Sequence, residues 1–295
     1  SRGVDDMHQP TPGLPEFDYV KPASLEEASR FLADHADEAR PFMGGTDTFV
    51  RMRDGVWKEK YVVDVKGLAG MNDISFDPQH GLTIGAAVNM NRVMADKAAK
   101  ENYALLVQAA RSVASHQLRS RATIVGNICN ASPAGDTTGA CIVLGGNLLV
   151  HGIDGMREVS LHGFFLGPGK TVLNAGDVVT ALQLPIPPVG YAGRYIKLGR
   201  NASGDLAIVG VTALGYPDQT AVSGLRFRLA LASVAPIPYV PTKAEEILAN
   251  QLITEVTIAE AAEAALESVS PISDTRGSAR YRKLMVRNLV KKAVT

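Results

Sequence analysis

Residues 41–48 form a first glycine loop, which reads Pro41-Phe42-Met43-Gly44-Gly45-Thr46-Asp47-Thr48. The loop follows a short apolar segment and precedes a predicted helix near residues 49–53, which Thr46 or Asp47 could cap. Glycines let backbone N–H groups come close to a phosphate, and a helix that begins after the loop adds a favourable dipole. Taken alone, a Gly-Gly pair is more often an ordinary turn than a phosphate site.

A second loop spans residues 123–136 and reads Thr123-Ile124-Val125-Gly126-Asn127-Ile128-Cys129-Asn130-Ala131-Ser132-Pro133-Ala134-Gly135-Asp136. Its Gly126-Asn127 pair offers backbone and side-chain amides, and Asp136 could accept hydrogen bonds from a ribose hydroxyl. Neither loop has the Gly-x-Gly-x-x-Gly dinucleotide pattern or the Walker pattern. Two amide-rich loops therefore suggest a diphosphate held from two sides, as in a dinucleotide such as FAD on a fold other than Rossmann.

The composition is that of an ordinary globular protein of about two domains, with 295 residues and a formal net charge of zero. This balance gives no global positive field for nucleic acid and no polybasic tract for a membrane surface. The two cysteines, Cys129 and Cys141, cannot hold a four-thiolate iron–sulfur cluster within this chain. The low cysteine content favours a cytoplasmic protein, and no apolar run reaches the length of a transmembrane helix.

The order of predicted elements divides the chain into three parts. Residues 1–16 are predicted to form an extended lead-in, which could include residues foreign to the native chain. Residues 17–188 are predicted to form one domain in two lobes, at about 17–70 and 71–188. The prolines at 185 and 187 mark its end. Residues 189–295 are predicted to form an α+β domain, because three strands are followed by three helices.

The predicted elements rest on hydrophobic periodicity and capping signals. Ser24 and Glu27 form a capping-box pattern at the start of a helix that reaches about residue 35. Helices are also predicted over residues 89–94, 103–114, 243–250, 258–268 and 278–293. Strands are predicted over residues 61–65, 82–85, 147–151, 177–184, 195–200, 206–214 and 225–234.

Both loops, in this order, resemble those of the FAD-binding (medium) subunit of the xanthine dehydrogenase and aerobic carbon monoxide dehydrogenase family of molybdenum hydroxylases. The matching segments are MGGTDT at 43–48, QLRSRATIVGN at 117–127, SPAGD at 132–136, YIKLGR at 195–200, GDLAIV at 204–209 and DTRGSARYR at 274–282. The resemblance runs from about Phe17 to Val294. Several motifs in the same order along the chain identify a family more specifically than any single motif does.

The resemblance implies a two-lobed vanillyl-alcohol-oxidase-like (PCMH-type) FAD-binding domain. A C-terminal α+β domain of the CO dehydrogenase flavoprotein type follows, with a three-stranded antiparallel sheet and helices. It also implies that the two loops enclose the FAD pyrophosphate. Asp136 would then meet the ribose, Val179 the adenine side, Lys197 the flavin region and Leu206 the isoalloxazine. The implied FAD-binding residues are Pro41, Phe42, Met43, Gly44, Gly45, Thr46, Asp47, Thr48, Thr123, Ile124, Val125, Gly126, Asn127, Asp136, Val179, Lys197 and Leu206.

The family resemblance also implies partners. Substrate would be oxidised at a molybdenum cofactor on a large subunit, and electrons would cross 2Fe-2S clusters on a small subunit to reach the FAD of this chain. They would then pass to NAD, oxygen or a quinone, and the complex would be a dimer of heterotrimers. No catalytic acid or base and no metal ligand is predicted in this chain, since the flavin performs the redox chemistry.

One departure from the family pattern concerns Val125, where a second glycine is usual. A Cβ there restricts φ and could crowd a phosphate. Two alternatives stay open: a self-sufficient FAD oxidoreductase resembling UDP-N-acetylenolpyruvoylglucosamine reductase, and a scaffold subunit without flavin. The segment GPGKT at 167–171 lacks the Walker spacing and is predicted to be a surface loop. On composition alone, Lys197 could be a strand lysine that reaches water, and Leu206 could be a core residue.

Overall fold

The computed structural model describes residues 13–201 and 204–295, so most of the predicted lead-in, residues 1–12, lies outside the described residues. The strands are β1 (Asp18–Val20), β2 (Ala39–Phe42), β3 (Tyr61–Asp64), β4 (Ile74–Asp77), β5 (Gly81–Gly85), β6 (Asn147–Gly152), β7 (Gly155–Ser160), β8 (Phe165–Gly167), β9 (Lys170–Thr171), β10 (Val178–Leu184), β11 (Ala192–Leu198), β12 (Val209–Pro217) and β13 (Leu225–Ala232). The helices are α1 (Leu25–Asp34), α2 (Thr48–Arg53), α3 (Met90–Ala95), α4 (Lys97–Asn102), α5 (Ala104–Arg111), α6 (His116–Arg119), α7 (Ile124–Cys129), α8 (Thr138–Val143), α9 (Thr242–Asn250), α10 (Glu255–Ser268) and α11 (Ala279–Val294).

The first sheet is parallel, with the strand order β1-β3-β2, and α1 connects its outer strands. Ser24 caps α1 by accepting the Glu27 N–H, as the capping-box pattern predicts. The Glu27 carboxylate returns to the N–H of Ala23 rather than to that of Ser24. The first glycine loop leaves this sheet at the end of β2 and leads into α2, so the sheet edge positions the loop.

The second sheet is antiparallel, with the strand order β4-β5-β10-β6-β7. Its central strand, β10, is the apolar run that predicts a strand over residues 177–184, and nearly all of its side chains are buried. One hydrophobic core joins this sheet to α5 and to α1 and β3 of the first lobe, with Ala28, Val63, Leu106 and Leu182 among its fully buried members. The shared core holds the two lobes, and the loops between them, in a fixed relation.

The third sheet is antiparallel, with the order β11-β12-β13, as the family resemblance implies. Helices α9, α10 and α11 pack against it around a separate core that includes Val211, Leu231, Leu248, Ala262 and Val290. The strand expected to begin at residue 206 begins at Val209. The side chain of Leu206 is 59% exposed, so its apolar character does not reflect a core position.

The second glycine loop differs from the sequence expectation, because residues 124–129 form the short helix α7 instead of a loop. Thr123 caps this helix by accepting the Gly126 N–H at 2.8 Å. The side chains of Ile124, Val125 and Ile128 are buried in the first core. The sequence does not predict this helix, because Gly126 lies within it and glycine is a poor helix former on average.

No helix among residues 13–201 and 204–295 is long and apolar enough to cross a membrane.

Candidate functional site

A cleft of about 520 Å³ lies where both glycine loops meet. Its walls are the first glycine loop, the segment from residue 122 to 136, residues 169–179 and residues 204–206. Its volume falls in the range of sites that bind small molecules and cofactors. The sequence separation of these walls shows that the cleft is a product of the tertiary fold and not of a single motif.

Most of the predicted site residues line this cleft. Those in its wall are Pro41, Met43, Gly44, Gly45, Thr46, Asp47, Thr48, Thr123, Gly126, Asn127, Asp136, Val179 and Leu206. The predicted residues outside the wall are Phe42, Ile124, Val125 and Lys197. The first three of these are buried core residues. Lys197 forms an ion pair with Asp136, which lines the cleft.

The first glycine loop packs directly on the backbone that precedes the second loop. A Cβ built on Gly44 would lie 2.2 Å from the Arg121 carbonyl oxygen, so only glycine fits this contact. Gly45 has a φ of 73°, and a Cβ there would also strike the ring of Phe42. Phe42 therefore shapes the loop from behind, although it does not face the cleft.

Asp47 occupies the N-cap position of α2 but makes no side-chain capping hydrogen bond. Its backbone carbonyl accepts the Arg51 N–H, which begins the helix. The sequence predicts that Thr46 or Asp47 caps this helix. Asp47 does occupy the N-cap position, but its side chain makes no capping hydrogen bond. The Thr46 and Asp47 side chains both lie in the cleft wall.

The second loop presents an ordered amide side chain to the cleft. The Asn127 Oδ1 atom accepts a hydrogen bond from the Thr137 hydroxyl at 2.7 Å, which leaves the NH₂ end for a ligand. The backbone N–H of Gly126 is already used by Thr123, and that of Asn127 donates to the Thr123 carbonyl. The side chain of Asn127, more than the amide of Gly126, is therefore the polar group that this segment offers.

Val125 does not crowd the cleft. It is the second residue of α7, and its side chain is 1% exposed and packs in the first core. The helical turn directs this side chain away from the wall to which Gly126 belongs. The valine in place of a family glycine is therefore compatible with an open cleft.

Asp136 is bound by two residues of the third sheet. The Lys197 ammonium lies 2.9 Å from one carboxylate oxygen, and the Tyr195 hydroxyl donates to the other. Burial raises the pKa of the Asp136 carboxyl, while the bond from Tyr195 and the charge of Lys197 act in the opposite direction. Burial also raises the pKa of Tyr195 well above its ordinary value, so this phenol stays protonated. Lys197 takes part in this ion pair instead of reaching water.

The remaining two predicted residues differ in exposure. Leu206 is 59% exposed and Val179 is 7% exposed, and both line the cleft. A large apolar side chain that stands exposed in a concave site is free to contact an apolar ligand face. The exposed side chain of Leu206 is therefore placed where it could contact a flat ring system. Val179 belongs to β10, which forms part of the cleft wall.

Several residues of the wall were not singled out from the sequence. They include Arg40, Trp57, Asn130, Gly169, Thr171, Asn174 and Asp177. Gly169 and Thr171 come from the GPGKT segment, which forms the β8–β9 hairpin and closes one side of the cleft. The Gly169 N–H already donates to the Ala131 carbonyl, so it is a wall contact and not a phosphate loop.

Trp57 and Arg40 form part of the rim. The Arg40 guanidinium carbon lies 3.6 Å from the centre of the Trp57 ring, and Arg40 also pairs with Glu59 at 2.7 Å. Trp57 is the one tryptophan of the sequence, which was a usable signal for a contact surface. Cys129 also borders the cleft, and burial raises the pKa of its thiol to about 12, so it remains protonated.

The residues present fit a large cofactor such as FAD. Asn130 lines the cleft, and its buried Oδ1 atom has no hydrogen-bond partner within residues 13–201 and 204–295. A buried acceptor without a partner is costly, so a ligand hydroxyl or N–H group would satisfy it. The first glycine loop lines the same cleft, and the exposed side chain of Leu206 offers the apolar contact that a flat ring system requires.

Comparison with known proteins identifies two domains. Residues 15–187 match the family described as FAD binding domain in molybdopterin dehydrogenase. Residues 194–295 match the family described as CO dehydrogenase flavoprotein C-terminal domain.

Relatives match over nearly the full chain. The xanthine dehydrogenase FAD-binding subunit of Escherichia coli O157:H7 is 29% identical over 278 residues, which cover 94% of each chain. The glyceraldehyde dehydrogenase medium chain of Sulfolobus acidocaldarius is 29% identical over 279 residues, which cover 95% of this chain and 97% of the relative.

A solved structure supports the same assignment. A chain of the carbon monoxide dehydrogenase of Hydrogenophaga pseudoflava superimposes with a TM-score of 0.90 at 29% identity, covering 95% of this chain and 96% of that one. The first matching family covers more than half of the chain and includes both glycine loops. The chain therefore belongs to the family of FAD-binding medium subunits of molybdenum hydroxylases.

Proposed function

We propose that this chain is the FAD-carrying electron-transfer subunit of a molybdenum hydroxylase complex. The observation that carries the proposal is the convergence of both glycine loops on one cleft, with Gly44 in contact with the backbone of Arg121. When bound, FAD supplies the capacity to take up and release two electrons. The chain itself supplies binding, orientation and a partly enclosed environment lined by both polar and apolar residues.

The proposed division of labour follows the walls of the cleft. The two glycine loops, residues 41–48 and 123–127, would hold the pyrophosphate, with Asn127 donating from its side-chain NH₂ group. Val179 would border the adenine side, and Leu206 would lie against the isoalloxazine. Asp136 would face the ribose while its carboxylate is held by Lys197 and Tyr195. Lys197 would then act in the flavin region mainly by fixing Asp136.

We further propose that the chain works with two other subunits. A large subunit would carry the molybdenum cofactor, a small subunit would carry the 2Fe-2S clusters, and the whole would be a dimer of heterotrimers in the cytoplasm. Electrons would enter this chain from the clusters and leave to NAD, oxygen or a quinone. We propose that residues 17–188 form the FAD-binding domain and that residues 189–295 form the C-terminal domain.

The relatives are named as subunits of a xanthine dehydrogenase and a glyceraldehyde dehydrogenase, and the solved structure that shares this fold is a carbon monoxide dehydrogenase. In the complex, the large subunit would recognise the substrate, and residues of this chain would not select it. The chain would instead govern where electrons leave.

The test is purification of the chain from its native host at low salt, followed by a visible absorption spectrum and a denaturing gel. Flavin bands together with iron–sulfur absorbance, and one larger and one smaller co-purifying band, support the proposal. A lone yellow chain that turns over a substrate by itself supports the self-sufficient oxidoreductase instead. A colourless chain that also fails to take up added FAD supports the scaffold.

A further inference from the structure

Ser233, which lies just after β13, connects two walls of the cleft that are distant in sequence. Its backbone N–H donates to the Pro133 carbonyl at 2.7 Å, within the turn that leads to Asp136. Its hydroxyl donates to the Ala207 carbonyl at 2.8 Å, one residue after Leu206. The same residue therefore fastens the backbone on both sides of the site, although Ser233 itself does not line the cleft.

Ser233 adopts a conformation that its side chain disfavours. Its φ is 65°, in the left-handed region where glycine is normally found. Non-glycine residues stay in this region only where the surroundings impose it, and such residues cluster at functional sites. In this conformation the N–H of Ser233 bonds to Pro133 and its hydroxyl bonds to Ala207.

The carbonyl of Ser233 is held by a buried arginine. The Arg282 Nη1 atom donates to this carbonyl at 3.0 Å, and its Nη2 atom donates to Asp274 at 2.7 Å. Arg282 is 2% exposed, so its position is set by packing as well as by charge. Arg276 also pairs with Asp274, which anchors the carboxylate from the other side. The segment 274–282 thus supports Ser233 from the C-terminal helix.

The connection to Leu206 is direct. Ala207 is fully buried and Ile208 is 6% exposed, whereas Leu206 is 59% exposed in the cleft. Leu206 is therefore an exposed side chain whose neighbouring residue is held by hydrogen bonds. The Ala207 carbonyl accepts from the Ser233 hydroxyl at 2.8 Å and from Arg276 Nη1 at 3.5 Å.

We propose that Ser233 is a positioning residue that sets the spacing between the Leu206 wall and the 132–136 wall, and so controls solvent access to the flavin. This role rests on the proposed function, because it acts on bound FAD. Ser233 touches no cofactor atom in this account. It acts through Ala207 and Pro133, and Arg282 holds it in place.

The test compares Ser233→Ala, Ser233→Gly and a control, Ser268→Ala, each as the full chain with FAD bound. The control removes a similar serine-to-carbonyl bond, from Ser268 to Ala265, in α10 away from the cleft. The glycine variant also removes the hydroxyl, but glycine adopts a positive φ without strain. It therefore tests the loss of the hydroxyl even if the alanine variant fails to fold. The readouts are FAD per chain, iodide quenching of flavin fluorescence and the flavin midpoint potential.

We expect all three variants to retain the wild-type FAD content. Iodide quenching should rise severalfold in both Ser233 variants and the midpoint potential should move in the same direction in both, while Ser268→Ala matches wild type. Ser233 variants that equal Ser268→Ala in both readouts overturn the positioning role alone. Loss of folding in both Ser233 variants overturns it too, because Ser233 would then be a general stability residue. A wild-type chain without FAD overturns the proposed function together with this role.

Discussion

The Lys197 ammonium lies 2.9 Å from the Asp136 carboxylate, and it joins the second glycine segment to β11 of the third sheet. The Tyr195 hydroxyl donates to the other carboxylate oxygen. Tyr195 and Lys197 lie two residues apart on β11, so their side chains share one face of the strand. A residue expected to serve the cofactor thus also ties the cofactor-binding segment to the C-terminal sheet.

Asp136→Ala should destabilise the chain strongly, because it removes the carboxylate paired with the largely buried Lys197 ammonium and leaves it only the Ser112 carbonyl among the residues that the structure describes. Removing one member of a buried ion pair typically costs about 3–5 kcal/mol. Asp136→Asn should cost less, since its amide oxygen still accepts the Tyr195 hydrogen bond. Urea unfolding of the two variants measures the difference, and equal free energies of unfolding for both variants and wild type would refute the structural role of the pair.

Gly44→Ala should abolish FAD binding. The added methyl group would lie 2.2 Å from the Arg121 carbonyl oxygen, so the two loops must separate. Gly67→Ala is the matched control, because a Cβ there meets nothing within 4 Å. Fluorescence titration with FAD should show no saturable binding for Gly44→Ala and wild-type binding for Gly67→Ala. Normal binding by both variants would mean that the contact between the loops is not needed.

Val125→Gly, which restores the glycine of the family pattern, should not strengthen FAD binding and should destabilise the fold. Loss of a buried valine and a glycine in a helix together cost about 3 kcal/mol. Val256→Gly is a matched control, because Val256 is also the second residue of its helix but is 75% exposed. It should cost about 1 kcal/mol or less. Thermal unfolding and FAD titration check both, and tighter FAD binding by Val125→Gly would contradict the burial argument.

Glu245 should make stability depend on pH below neutrality. Burial raises its pKa from 4.5 to about 7 in the folded chain, where it accepts the Leu229 N–H. A raised folded-state pKa gives stability that is full below pH 4.5 and is lost as the pH rises through 7. Relative to Glu245→Gln, wild type should therefore lose stability over this range, by at most about 1.4 kcal/mol per pH unit. Urea unfolding from pH 4.5 to 8 measures it, and parallel curves would contradict the prediction.

The sequence predicts the elements that repeat a simple pattern. The capping box at Ser24, the apolar strand 177–184 and the three C-terminal strands with their helices all follow from periodicity and turn signals. Their residues bury one face in a way that local sequence alone records. The fold class implied by the ordered motifs is confirmed by the matching architecture.

The sequence does not predict features that depend on distant contacts. Val125 reads as an obstacle in a loop, but it lies in a helix with its side chain in the core. Leu206 reads as the start of a strand, but it stands exposed in the cleft. Asp136 reads as a free ribose ligand, yet its partners lie about sixty residues further along the chain and become visible only when the sheets are assembled.

The most direct test of the account is the stoichiometry of FAD binding to the isolated chain. The chain is stripped of flavin, titrated with FAD, and followed by flavin fluorescence and by the visible absorption of the re-isolated protein. We expect saturable binding of one FAD per chain, with a flavin spectrum that Gly44→Ala lacks. A wild-type chain that stays colourless after incubation with excess FAD would contradict it.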